Sequence, residues 1–253
     1  YPTKIEGYTS SATDVIYTAL SAAECVGTKV RLGLGENSGW WTGNTFRNSW
    51  LKAEAEISIA IACEIIRLYG SHPFFGGWYI PYEFSQTTAV TKKQKSHLNY
   101  FYKEIGLFIK QISKDDIMIA PFYNGKFSLL CSLSSWEAML VDVLRETGIN
   151  ILAMQDSIGA GFNTMGELDK LFLYTKKAAD CLGIKLYADT ETFTAVKSGF
   201  VPAEQSRIEQ QIFIESKYVE KFAAFSIDHY QNKNVSSQID NFNKYYVYYK
   251  RNK

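Results

Sequence analysis

Carboxylates, amides and aromatic rings recur in one kind of place along this chain, directly after short apolar runs. Glu36, Trp40 and Trp41 follow the run 29–34, and Pro81, Tyr82 and Glu83 follow 77–80. Phe122, Tyr123 and Asn124 come after 117–120, and Gln155 and Asp156 after 151–154. The run 185–188 leads into Asp189, Thr190 and Glu191, and 224–227 into Asp228, His229 and Tyr230. Two carboxyl groups flanking one bond are what glycosidic cleavage requires: one protonates the leaving oxygen and the other attacks or stabilises the anomeric carbon. Rings suit the apolar faces of sugars, and amides or a histidine suit the hydroxyls. Glu83 and Glu191 are the candidate catalytic pair. Trp40, Trp41, Tyr82, Tyr123, Asn124, Gln155, Asp156, Asp189, His229 and Tyr230 are the candidate substrate contacts. Among these, Asp189 shares a strand face with Glu191 and is read as holding its neighbours in place.

These residues need elements that carry them to one end of a fold. The six runs are nearly continuous in apolar residues, as parallel strands covered on both faces are. Between them lie helical stripes, Ile57, Ile61, Ile65 and Leu68 in one and Leu98, Phe101, Ile105, Phe108 and Ile112 in another. Capping-box spacing at Ser134 and Glu137 and at Thr164 and Glu167 predicts helix starts, and Pro202 suits a first helical turn. Gly27, Gly70, Gly148 and Gly183 are predicted to stop helices in the left-handed conformation. Alternating βα units imply a doubly wound sheet or a (β/α)8 TIM-type barrel. The absence of GxGxxG or P-loop motifs after any run disfavours the former. Six units are visible, and residues 1–27 offer a helix without a strand. The expectation is therefore a single α/β barrel domain over residues 1–253, its first two strands lying upstream of residue 1. In such folds the active site sits at the C-terminal ends of the strands.

Composition narrows the partners. A net charge of +1 disfavours a nucleic-acid or membrane-surface partner, which a basic excess would attract. No apolar run of about 18 residues is present to span a membrane. Cys25, Cys63, Cys131 and Cys181 are far apart, with no zinc-ligand spacing, and three lie in apolar helical stretches that read as small buried hydrophobes. No cofactor is expected. The chain opens Tyr1-Pro2-Thr3, without Met or a signal-peptide core, and reads as a processed product. The tyrosines Tyr245, Tyr246, Tyr248 and Tyr249 are assigned to a last helix packed on the barrel. Two other classes stay open. A metal-dependent barrel hydrolase or isomerase would draw ligands from Asp156, Asp189, Glu191, Asp228 and His229, and a carbohydrate-binding barrel without catalysis would use the same rings and amides.

Five stretches, 77–83, 118–122, 153–156, 187–193 and 225–230, resemble, in order, a bacterial domain-of-unknown-function family placed among glycoside-hydrolase-like TIM barrels. The resemblance implies a carbohydrate-active barrel, usually exported, in which two strands precede the Tyr-Pro segment. Counted that way, Glu83 ends strand four and Glu191 strand seven, the positions of acid/base and nucleophile in a large retaining glycosidase clan. That clan places Asn before the strand-four Glu, whereas here Tyr82 precedes Glu83. On this reading Glu83 arrives protonated and Glu191 ionised.

Overall fold

The computed structural model describes residues 1–252. Each of the six apolar runs overlaps a strand: β1 (Val30–Gly33), β2 (Phe75–Ile80), β3 (Ile117–Ile119), β4 (Ile151–Gln155), β5 (Lys185–Glu191) and, after a hairpin made of β6 (Phe193–Val196) and β7 (Gly199–Pro202), β8 (Lys221–Phe225). The order in the parallel six-stranded sheet is β1-β2-β3-β4-β5-β8. Helices occupy the crossovers: α2 (Asn48–Tyr69), α3 (Lys92–Ile112), α4 (Leu133–Leu144), α5 (Met165–Leu182) and α6 (Gln205–Glu215). Before β1 lies α1 (Val15–Val26), and after β8 come the short α7 (Ile227–Tyr230) and α8 (Ile239–Arg251). This is an α/β architecture of the (β/α)-barrel type, and residues 1–27 contribute a helix and no strand.

The chain forms two compact units. The first comprises Tyr1–Ile119 and Val141–Ile151. In it β1 pairs with β2, and β2 with β3, all parallel. Helix α2 buries Leu51, Ala55, Ile61, Ala62 and Ile65 along one face, with the carboxylates of Glu54 and Glu64 on the same side. Glu64 is satisfied by the Thr3 hydroxyl at 2.6 Å and the Lys4 N–H at 2.7 Å, which tie the N-terminal segment down and lower its pKa. Helix α3 starts at a capping box of Thr91 and Gln94. Its Gly106 lets another backbone approach: a Cβ there would stand 2.0 Å from the Thr147 carbonyl oxygen.

The second unit comprises Ala120–Leu140 and Leu152–Lys253. Leu152, Ala153 and Met154 of β4 are all buried, as continuous apolar character demands. β5 pairs with β8 in parallel, and β6 with β7 antiparallel. The Thr164–Glu167 capping box opens α5 as expected, and Gly183 ends it in the left-handed conformation at φ 67°. The tyrosine-bearing α8 packs on α6, half-burying Tyr245 and Tyr248 and leaving Tyr246 and Tyr249 exposed.

Local details correct the sequence reading. Gly27, Gly148 and Gly183 take positive φ, but Gly70 is right-handed, because α2 runs on into a turn closed by the His72 N–H on the Tyr69 carbonyl. Pro202 ends β7 on a two-stranded ribbon, where a missing N–H is tolerated, and α6 starts three residues later. At the start of α4 it is Ser132 whose hydroxyl accepts from the Ser135 N–H, two residues before the expected cap. The last strand begins at Lys221 and ends at Phe225, so Ile227 belongs to α7. Cys25, Cys63 and Cys181 are exposed, on outward faces of their helices, and Cys131 is half-buried, so they are not the buried hydrophobes expected. No helix among the described residues is long and apolar enough to cross a membrane.

Candidate active site

In the first unit the loop after β1 and the segment after β2 meet around Tyr82 and Glu83. Trp40 is 3% exposed; its ring lies 4.9 Å from Tyr82 and 5.6 Å from Phe101, and its indole N–H donates to the Glu83 carbonyl oxygen at 2.6 Å. Tyr82 donates to Glu54 Oε2 at 2.6 Å and accepts from the Asn37 N–H at 3.2 Å, while Asn37 Nδ2 donates to Glu54 Oε1 at 2.8 Å. Burial, then the Glu54 carboxylate, pushes the Tyr82 phenol far up. Trp40 and Tyr82 therefore hold the backbone beneath Glu83, and neither presents a ring face to solvent. Trp41 does: it is 54% exposed, with its indole N–H on Glu36 Oε1 at 2.6 Å. The half-buried Glu83 side chain accepts from the Tyr79 hydroxyl at 2.8 Å.

In the second unit the ends of β4 and β5 bring carboxyl groups together. Asp156, fully buried, accepts from the N–H of Ile158 at 2.9 Å, the N–H of Glu191 at 3.1 Å and the side-chain amide of Gln211. Glu191, 4% exposed, accepts from the Ala160 N–H at 2.7 Å. Burial first, then the charge of Asp156, raise the Glu191 carboxyl from 4.5 to about 8, against the pull of the Ala160 N–H; the half-buried Asp189 adds to the rise. Glu191 thus keeps its proton near neutrality, the reverse of the ionised state expected from its strand position. Burial, and then the Glu191 charge, raises the Tyr230 phenol, and its ring lies 5.5 Å from that of Phe193.

The other predicted contacts are mostly occupied in holding loops. Tyr123, buried, donates to the Cys131 carbonyl at 2.6 Å, and Gln155 to the Ala120 carbonyl at 2.7 Å. Asn124 Oδ1 accepts from the Lys126 N–H at 3.1 Å. His229 is exposed and shares a 2.7 Å hydrogen bond with the Ser226 hydroxyl, which also accepts its backbone N–H. Asp156 itself is inaccessible, so it acts on Glu191 rather than on solvent-borne groups. Among the described residues no three His, Cys, Asp or Glu side chains converge in a way that could hold a metal ion.

Three residues that the sequence reading passed over complete this network. Arg207, Gln211 and Glu215 occupy successive turns of one face of α6, at i, i+4 and i+8. Arg207 donates to the carbonyls of Glu191, at 3.2 Å, and Phe193. Gln211 and Glu215 are fully buried. The signal was there as a polar stripe on a helix, indistinguishable by spacing from a solvated face.

A family of unknown function, DUF4434, matches residues 1–238, and the chain belongs to it. No protein of curated function matches it in sequence. A structure from Bacteroides thetaiotaomicron, described as a candidate α-L-fucosidase, is similar with a TM-score of 0.79 at 23% identity, covering 98% of this chain and 76% of that one. A GH18 chitinase from Pseudoalteromonas aurantia is similar with a TM-score of 0.58 at 18% identity, over 89% of this chain and 81% of its own. The shared feature is a glycoside-hydrolase-like fold of the TIM-barrel type.

Proposed function

We propose that this protein is a glycoside hydrolase acting on a poly- or oligosaccharide, with Glu191 as proton donor. The observation that carries this reading is the placing of Glu191: it ends β5 with its backbone N–H on Asp156 Oδ2 at 3.1 Å and its carboxyl held by the Ala160 N–H at 2.7 Å, and burial followed by the Asp156 charge raises that carboxyl, the direction that a proton donor to a glycosidic oxygen requires. The fold likeness to a chitinase and a candidate fucosidase supports the class of substrate. In the retaining form of the reaction, the Glu191 proton passes to the leaving oxygen as a carboxylate bonds to the anomeric carbon. Water, deprotonated by Glu191, then cleaves the glycosyl ester and restores both groups. Glu191 takes the acid role here, the reverse of the sequence expectation, because burial and then the Asp156 charge disfavour its ionised form. Screening polysaccharides and aryl glycosides by reducing-end release, with wild type beside Glu191→Gln and Glu83→Gln, tests the reading. Turnover by wild type that both variants lose supports it; sugar binding without turnover replaces it with a non-catalytic barrel. Proton NMR of the first-formed anomer tests retention, and an inverted product rejects that part.

A further inference from the structure

Past Glu191 the chain leaves the parallel sheet. β4 ends at Gln155, and β8 ends at Phe225, the residue paired with Glu191. Only Thr192 separates the end of β5 from the β6–β7 ribbon. Its N–H still reaches the Phe225 carbonyl at 2.9 Å, and its own carbonyl accepts from the Ala203 N–H at 2.9 Å. The carbonyls on either side, of Glu191 and Phe193, face one way, since a single nitrogen meets both. Arg207 Nη2 donates to the Glu191 carbonyl at 3.2 Å and to that of Phe193. Gln211, one turn further along α6, touches the Glu191 carbonyl only at 3.4 Å, and its shorter bond goes to Asp156. The same turn also holds the Glu191 carboxyl. The Ala195 N–H donates to the Gly159 carbonyl at 2.8 Å, and the next residue, Ala160, donates its N–H to Glu191 Oε2 at 2.7 Å. Gly159 lies hard against the carbonyl that Arg207 holds: a Cβ there would meet the Phe193 oxygen at 2.2 Å.

We propose that Arg207 is the positioning residue of the acid: it locks the turn between β5 and β6 so that the Glu191 carboxyl stays on the Ala160 N–H, where it can deliver a proton. The proposal rests on the reading of Glu191 as proton donor. Asp156 holds residue 191 by its N–H and Arg207 by its carbonyl, so both backbone polar groups of that residue are fixed by side chains. Arg207 itself is set in the first turn of α6, with its N–H on the Glu204 carbonyl at 3.0 Å. A neutral amide could serve two carbonyls at less cost, because Arg207 Nε and Nη1 are buried with no acceptor among the described residues. The geometry asks for arginine's reach and its planar head. Lysine is one atom shorter and carries its charge at a point, so it cannot span the pair in the same way.

The test uses the whole chain and two variants. Arg207→Lys keeps the charge and loses the span; Arg207→Ala loses both and leaves room for a guanidinium supplied in solution. The first readout needs no substrate: it is the amide proton–nitrogen resonance of Ala160, which reports the hydrogen bond to the Glu191 carboxyl. It should move in both variants while the amides of α5 stay in place. In Arg207→Ala it should return toward its wild-type position with methylguanidinium and not with methylammonium. The second readout is turnover of whichever substrate the screen finds. In Arg207→Lys kcat should fall by about 10- to 100-fold with KM little changed, and methylguanidinium should restore part of the loss in Arg207→Ala. An unmoved Ala160 resonance in Arg207→Lys, or rescue by methylammonium as good as by methylguanidinium, overturns the proposal. If Arg207→Ala does not fold, Arg207→Lys decides alone. An inactive wild type whose Ala160 resonance moves in Arg207→Lys would sink the glycosidase reading and leave the positioning of Glu191 standing. An active wild type with kcat unchanged in Arg207→Lys would do the opposite.

Discussion

The backbone N–H of Glu191 donates to Oδ2 of Asp156 over 3.1 Å, so the anion that raises the Glu191 carboxyl also fixes the strand end that carries it. One side chain therefore bears on both the position and the protonation state of the proposed acid, with burial the larger cause of the latter. Moving the strand end away from Asp156 would change both at once.

Replacing Glu191 or Glu83 with Gln keeps the side-chain shape and removes the ability to give or accept a proton. Turnover on any substrate found in the screen should fall by about 10²- to 10⁴-fold in each variant. Far-ultraviolet circular dichroism should be unchanged, and steady-state kinetics should show the loss in kcat rather than in KM.

Stability should decline as pH rises from weakly acid to weakly alkaline. Glu191 titrates at about 8 in the folded state against an ordinary 4.5, and Glu215 and Asp156 are also raised. Between those values the folded chain binds more protons than the unfolded one. The favourable contribution is thus complete below about pH 4.5 and is lost as pH passes 8. Thermal midpoints measured across that window should fall for wild type and fall less steeply for Glu191→Gln. Identical slopes in the two proteins would contradict the assignment.

The strands were legible because parallel strands carry their own signature: Leu152, Ala153 and Met154 leave no room for a polar side, and β4 lies where they are. The β6–β7 ribbon was not. Phe193–Val196 and Gly199–Pro202 are short, and Pro202 reads equally as the start of a helix. Glu83 and Glu191 could be found as carboxyls following apolar runs. Gln211 and Glu215 could not, since a polar stripe on α6 acquires meaning only from the tertiary contact that buries it. Trp40 and Trp41 are adjacent in sequence and opposite in environment, a distinction that depends on the 3-10 turn at Ser38–Thr42.

That contrast is measurable. Trp40→Ala removes a buried ring and the indole hydrogen bond to the Glu83 carbonyl, and should cost about 3–5 kcal/mol in urea unfolding. Trp41→Ala should stay within about 0.5 kcal/mol of wild type. If its exposed face is a sugar platform, KM rises while the unfolding midpoint does not move.

Gly159 sits against the proposed acid: a Cβ there would meet the Phe193 carbonyl oxygen at 2.2 Å and Glu191 Oε2 at 2.9 Å. Gly159→Ala should destabilise by about 1–3 kcal/mol through overpacking and displace Glu191 from the Ala160 N–H. Activity should fall together with stability. A variant as stable and as active as wild type would show that this loop yields more freely than its contacts imply.

The thiols have a practical consequence. Cys25 and Cys63 belong to the first unit and Cys131 and Cys181 to the second. Three of them project from helix surfaces, and none contributes to the Asp156–Glu191–Glu215 network. Maleimide dyes or nitroxides can therefore be attached to native side chains, and removing all but one thiol leaves a single reporter on a chosen helix. Read with and without a candidate oligosaccharide, such a reporter would register binding as a change in its own mobility, before any product has been seen.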